Sequence, residues 1–337
     1  MSIESALIGG PLGFGTAPLG NMFRNISEEE ASATVAAAWQ LGTRFFDTAP
    51  FYGAGLAEIR LGKELVKHKR DEYVLSTKVG RLILDEIVKG PQAFGEKGSL
   101  FEHGRKNKVI YDYSSDGAKR SIEDSLKRMG VDRIDFVWIH DLAQDFHGDE
   151  WIAQFEIART GAMRALTKLR EEKVVKGWGV NRIEPVELML GLSETNADGT
   201  LLAGRYTLLD HERALQRLMP MAVEKGVQIV VGGPYSSGVL AGGRHYEYAE
   251  ASPQILAKVA KIKALAQRHG VPIKAAALQF SLAHPAAVAV IPGASKPERI
   301  KEDHAALRRK FQTTFGASCG LRVLLLLMPR CQPTITC

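Results

Sequence analysis

Cysteine is almost missing from this chain of 337 residues: Cys319, Cys331 and Cys337 are its three, and all lie beyond residue 318. The body therefore has no disulfide, no thiol nucleophile and no cysteine metal site, and a reducing compartment suits it. Acidic residues also stop early, at Asp303. The formal charge of +6 comes from 44 basic and 38 acidic groups, but Arg308, Arg309, Lys310, Arg322 and Arg330 all follow the last acid. Without those five, 39 cations face 38 anions. With no basic stripe interleaved with aromatics, nothing points to a nucleic-acid partner. Long apolar runs are absent as well. Ala286–Ile291 and Val323–Met328 are far too short to span a bilayer, and no basic region followed by an apolar one opens the chain. A soluble cytoplasmic protein with no membrane partner is expected.

Several motifs fail too. The Gly-x-Gly starts at 13/15, 53/55 and 177/179 carry Pro18, Glu58 and Arg182 where a Rossmann fingerprint needs a third glycine. Phosphate-loop, His-Glu-x-x-His and Gly-x-Ser-x-Gly patterns do not occur, and the nine histidines are dispersed, so no metal site is expected.

What the chain does have is alternation. Apolar strands are predicted at 10–20 (running into a glycine-rich turn), 43–46, 73–77, 133–139, 176–180, 200–204, 227–231 and 286–291. Helical spacing is predicted at 31–41, 56–68, 115–129, 151–172, 185–192, 212–225, 253–269 and 296–309. Ser27 with Glu30 forms a capping box before the first helix, and Ser295 with Glu298 is spaced as one before the last. Near-continuous apolar strands, each followed by a helix, with no central linker, predict a single (β/α)8 TIM barrel over residues 1–309. A two-domain doubly wound protein is the competing arrangement. Residues 79–113 show no sustained period and read as a structureless insertion after the third strand, a lid. Residues 310–337 differ abruptly in composition and read as an atypical, disordered or frame-shifted tail.

Chemistry collects at strand ends. Asp47, Lys78 and His140 end the second, third and fourth strands, and Tyr52 lies on the loop after the second. Neighbouring barrel strands are about 5 Å apart, so the four can meet. Taken singly each could be a packed or solvated rim residue; together they suit proton transfer at a carbonyl or alcohol oxygen. A neighbouring ammonium, Lys78, would lower the pKa of the Tyr52 phenol, and Asp47 would keep that ammonium charged. His140 would hydrogen-bond to the substrate oxygen. Nothing in the set carries a hydride, so redox chemistry requires a cofactor. The loop from Ile291 to Arg299, with Lys296 and Arg299, is a place where such barrels bind phosphate.

These segments resemble the aldo-keto reductases. The carriers are Phe46 to Gly53, Ser76 to Gly80, Asp135 to His140, Lys176 to Asn181 and Ile291 to Ser295. The resemblance covers about residues 10–305. It implies an NAD(P)-dependent oxidoreductase acting on CH-OH donors, with Tyr52 as general acid/base, Lys78 and Asp47 tuning it, and His140 orienting a small-molecule substrate. Asn181 matches a residue that holds the nicotinamide carboxamide. The implied cofactor contacts are Thr16, Asp47, Asn181, Pro234, Ser236, Gly238, Gly293, Ser295, Lys296 and Arg299. Within the family, Gly15 to Asn21, Asp47 to Leu61 and Gly204 to Asp210 look most like the branch of threo-aldose (L-fucose) 1-dehydrogenases and pyridoxal 4-dehydrogenase. That branch implies oxidation of a ring hemiacetal to a lactone, usually with NAD. The alternatives it leaves are an NADPH-dependent aldehyde or ketone reductase, and a slow, cofactor-binding regulatory protein on the same fold. Gly232 stands where many members have a tyrosine that stacks on the nicotinamide. Arg299 matches a residue that can grip a 2′-phosphate, as NADP would require, whereas Glu302 and Asp303 would repel one.

Overall fold

Eight apolar runs become eight parallel strands, because strands buried on both faces need a ring of helices around them. The computed structural model describes residues 2–90, 100–191 and 197–309; the 310–337 tail lies outside them, as do residues 91–99 of the expected lid. The chain opens with a one-turn helix, α1 (Ile3–Ala6), followed by β1 (Phe14–Gly15), α2 (Glu28–Gln40), β2 (Phe45–Asp47), α3 (Leu56–Leu65), β3 (Val74–Ile87), β4 (Asn107–Asp112), α4 (Ser115–Met129) and β5 (Phe136–Ile139). Then come α5 (Gln144–His147), α6 (Trp151–Thr160), α7 (Ala162–Glu171), β6 (Gly177–Asn181), α8 (Ile183–Gly191), β7 (Gly199–Ala203), α9 (Met219–Lys225) and β8 (Gln228–Gly232). A small hairpin of β9 (His245–Tyr246) and β10 (Ala249–Glu250) precedes α10 (Pro253–Arg268), α11 (Ile273–Phe280), β11 (Ala287–Ile291) and α12 (Pro297–Arg308).

Strands β1, β2, β3, β5, β6, β7, β8 and β11 lie side by side in that order, all parallel. Bridges from Leu12 to Val290 and from Gly15 to Gly293 bring the last strand back to the first, which makes a (β/α)8 barrel. Inside, Phe45, Val74, Phe136, Trp138, Leu201 and Val230 pack together, and Ile3 of α1 joins them as a plug. Gly199 is required there: a Cβ on it would lie 2.1 Å from Ile3 Cδ1. No helix among the described residues is long and apolar enough to cross a membrane.

Four sequence expectations change. The 79–113 stretch is not structureless where it is described: β3 runs on to Ile87 and pairs antiparallel with β4, Leu82 opposite Ile110 and Ile83 opposite Val109. One face of this hairpin is solvated, with Lys108 paired to Glu86 at 3.0 Å, so its charges hid the period. The predicted 151–172 helix breaks into α6 and α7 at Gly161, where a Cβ would meet the Tyr113 carbonyl at 2.8 Å. Helix α11 went unread, since Pro272 and three consecutive alanines gave little contrast between faces. Finally, Ser27 caps α2 as expected, but Ser295 does not cap α12; its hydroxyl accepts from Arg24 at 3.1 Å.

Candidate active site

Asp47 ends β2 with its carboxylate turned into the barrel mouth and almost wholly buried. Its Oδ2 takes the Lys78 ammonium at 2.5 Å, while Oδ1 accepts from Ser76 Oγ at 2.6 Å and Trp138 Nε1 at 3.1 Å. Lys78 also donates to the Thr48 carbonyl at 2.8 Å. A buried ion pair holds only when its other lone pairs and protons are satisfied in this way. Sequence reasoning missed Ser76 and Trp138. The signal was available: each sits two residues before Lys78 or His140 on the same strand, and therefore on the same face.

Tyr52 is carried by the loop between β2 and α3, and glycines fix that loop's place. Gly53 has a φ of +65°, and a Cβ on it would lie 2.4 Å from the Gly20 carbonyl oxygen. A Cβ on Gly104 would in turn lie 2.6 Å from Gly53 Cα, so three bare backbones stack behind the tyrosine. Arg105 N–H closes the contact on the Gly53 carbonyl at 3.0 Å. The Tyr52 ring lies edge to face with His140, centroids 5.8 Å apart, and the Lys78 ammonium is 4.8 Å from its centroid. The four residues therefore converge. Phe51, Phe101 and Phe146 line the same cavity, as does Tyr248 from the turn between β9 and β10.

Protonation differs from expectation. Burial, and then the Asp47 charge, raise the Tyr52 pKa well above the usual phenol value, with Tyr248 and Asp141 acting the same way and Arg182 opposing. The expected lowering by Lys78 is not the outcome: burial dominates, and the Asp47 carboxylate adds to it. Burial drives the His140 pKa well below the ordinary histidine value, so its imidazole is neutral near pH 7.

The cavity, about 550 Å³, extends from these four groups to the loops after β8 and β11. Of the expected cofactor residues, Asp47, Asn181, Pro234, Ser236, Gly238, Gly293, Ser295 and Arg299 line it. Thr16 and Lys296 do not. Thr16 Oγ1 donates to the Asp47 carbonyl at 2.9 Å, and Lys296 is exposed. The Asn181 amide is engaged on both sides by Asp141: Oδ1 accepts the Asp141 N–H at 2.7 Å and Nδ2 donates to its carboxylate at 3.2 Å. Four lining cations were missed: Arg24, Arg182, Arg205 and Lys274. Lys274 pairs with Glu302 at 2.9 Å and Asp303 at 2.8 Å, and Tyr235 donates to Asp303 at 2.7 Å. No group of metal-ligating side chains occurs among the described residues.

A long cleft of this kind fits a dinucleotide. Gly238 lines it with a φ of +103°, and a Cβ there would meet only open space, so the wall is shaped by backbone. Arg24, Lys274 and Arg299 also line it, Arg24 paired with Glu30 at 2.7 Å and Lys274 with Glu302 and Asp303. Above the cleft, Phe23 stacks on His245 with centroids 4.3 Å apart.

Fold and site together define a parallel barrel with Tyr52, Lys78, Asp47 and His140 gathered at one end of a long cleft. Residues 11–319 match the model of the aldo/keto reductase family, and the chain belongs to that family. It is 36% identical to pyridoxal 4-dehydrogenase of Microbacterium luteolum over 309 residues, 87% of each chain. It is 35% identical to D-threo-aldose 1-dehydrogenase of a Pseudomonas species over 303 residues, 88% of this chain and 89% of that one. Among solved structures, the holo form of an aldo-keto reductase from Bacillus halodurans superposes with a TM-score of 0.67 at 26% identity, covering 95% of both chains.

Proposed function

We propose that this enzyme oxidises the ring hemiacetal hydroxyl of an aldose or of pyridoxal to a lactone, with NAD as the preferred dinucleotide. The observation that carries the reaction type is the convergence of Tyr52, Lys78, Asp47 and His140 on one cavity wall. The substrate class rests on the pyridoxal and aldose dehydrogenases that the chain is similar to. NAD is favoured because Glu302 and Asp303 already neutralise Lys274, and Glu302 stands 3.8 Å from Arg299. A 2′-phosphate would meet these carboxylates.

When bound, a nicotinamide supplies the hydride acceptor at this mouth; the chain's own part concerns the proton and the oxygen. Tyr52, as the phenolate, would take the proton from the substrate hydroxyl, the substrate O–H breaking as the phenol O–H forms while the adjacent carbon gives up its hydride. His140 presents a neutral imidazole to the same oxygen. Asp47 and Lys78 hold opposite charges beneath the phenol, where a change in its charge can be felt at short range. Asn181, Ser236, Gly238, Ser295 and Arg299, which line the cleft, would hold the dinucleotide.

One observation favours a second reading, NADPH-dependent reduction of simple aldehydes. The Tyr52 pKa is raised, and a protonated phenol is a donor, as reduction needs. Absorbance of reduced nicotinamide, followed with L-fucose, D-arabinose, pyridoxal and short aldehydes against both dinucleotides, separates the two. Reduction of NAD by a hemiacetal substrate supports the first reading. Consumption of NADPH by simple aldehydes alone would replace it with the second.

A further inference from the structure

Asp141 follows His140 directly and has a left-handed backbone, φ +51°, uncommon for a residue with a side chain. The conformation is held from several sides. Asn181 takes its N–H and donates to its Oδ1, and Arg182 stands 3.5 Å from that same oxygen. Arg81, fully buried, donates to Oδ2 at 2.9 Å. The Arg81 guanidinium lies 3.6 Å from the Phe51 ring centroid and 5.1 Å from that of Phe146, and Arg182 is 5.1 Å from the latter. Two cations thus bracket one carboxylate inside an aromatic cage. The remaining neighbour is His140, whose Nε2 lies 3.3 Å from Asp141 Oδ2. On its other side, His140 Nδ1 is sealed from solvent and has no hydrogen-bond partner among the described residues.

We infer that Asp141 is a positioning residue that fixes His140 as the Nε2–H tautomer, making it a hydrogen-bond donor to the substrate oxygen. A carboxylate oxygen 3.3 Å from Nε2, lying off the axis of its in-plane bond, still disfavours a lone pair on that nitrogen and favours an N–H. The lone pair then belongs on the sealed Nδ1. The approach to Asp141 is close without being a hydrogen bond, so the N–H stays available to a second acceptor. Arg81 and Arg182 play a different part, which is to keep Asp141 ionised. Burial alone would raise its pKa, yet the Arg81 and Arg182 cations and the Asn181 hydrogen bond bring it well below the ordinary carboxylate range. The groups facing His140 are Asp141, Arg81, Lys78 and Arg182, with Tyr52 edge-on and the Tyr113 hydroxyl on its carbonyl at 2.9 Å. Of these only the Asp141 carboxylate favours an N–H at Nε2.

The inference rests on the oxidoreductase reading of the cavity, but its first test needs no turnover. Full-length protein labelled with nitrogen-15 histidine, the His140 signals assigned by their loss in His140→Gln, is expected to show Nε2 protonated and Nδ1 bare. A proton on Nδ1 in the unaltered protein overturns the proposal whatever the substrate is. The second test is kinetic. Asp141→Asn is expected to lower kcat by about ten- to a hundredfold, within the range that proton-handling groups contribute, while dinucleotide affinity stays within about twofold. In a His140→Gln background the same change should cost less than about twofold, because residues acting through one another are not additive. An equal loss in both backgrounds, or a rise in KM with kcat unchanged, refutes action through His140. If Asp141→Asn does not fold, the spectrum of the unaltered protein decides alone.

Discussion

Asp47→Asn tests the electrostatics of the site apart from its chemistry. The substitution keeps volume and leaves an oxygen for Ser76 and Trp138, but it removes the only carboxylate in contact with the Lys78 ammonium among the described residues. Both side chains are at most 2% exposed, so water cannot take over. Breaking a buried pair from one side costs about 3–5 kcal/mol, since the remaining charge is left uncompensated. The Thr48 carbonyl stays on Lys78, which places the expected loss towards the lower end of that range. Removing both charges, in Asp47→Asn with Lys78→Met, should bring stability back to within about 2 kcal/mol of the unaltered enzyme, because paired removal is often near neutral. Turnover should be lost in both variants. Urea unfolding at fixed pH, read by fluorescence and circular dichroism together, measures the stability; the nicotinamide assay measures the turnover. A single variant within about 1 kcal/mol of the parent would refute the reasoning, since the ammonium would then not depend on Asp47.

Tyr52→Phe should abolish nearly all turnover while dinucleotide affinity, measured by fluorescence titration, stays within a few-fold. With the phenol pKa raised, the rate of oxidation should climb with pH and that of reduction fall; a flat profile in both directions would contradict proton transfer at Tyr52. Burial lowers the pKa of His140, and also of His147, His211, His284 and His304, below the ordinary 6.5. The unfolded chain therefore binds protons that the native one refuses. Stability from this source is full above about pH 6.5 and falls as the pH drops, by up to about 1.4 kcal/mol per pH unit for each histidine; His140→Gln should make the slope shallower in acid unfolding. Glu302→Gln should shift the NADP to NAD preference towards NADP on the order of two- to fivefold, as expected for a half-exposed charge, with no change in kcat for NAD.

Much of this molecule could be read from the amino acids, and the reason is local. The eight strands were legible because each is a short apolar run, and several are ended by a polar residue, as at Phe46-Asp47 and Ile139-His140. Asp47, Lys78 and His140 stood out because they fall at such ends, and Tyr52 because it lies on the loop that follows one. What escaped was set by tertiary contact. The β3–β4 hairpin has one wet face, and its charged residues broke the alternation. Gly161 breaks a helix only because the Tyr113 backbone passes within reach. Ser295 had the right spacing for a cap, but Arg24, far away in sequence, takes its hydroxyl. Lys274 lies in a helix without contrast between its faces, so nothing nearby pointed to Glu302 and Asp303. Likewise the tyrosine's raised pKa depends on burial, which spacing does not reveal.

The stack of Gly20, Gly53 and Gly104 bears on attempts to re-engineer the substrate range. Loops beside a catalytic group are the usual targets for randomised libraries, and this one contributes Phe51 and Tyr52 to the cavity. Any non-glycine codon at 53 would drive a side chain into the Gly20 backbone and carry the phenol away with it, so most members of such a library would be inactive for reasons unrelated to selectivity. Diversity is better placed at Phe101, Phe146 and Tyr248, which face the same space without standing in that column.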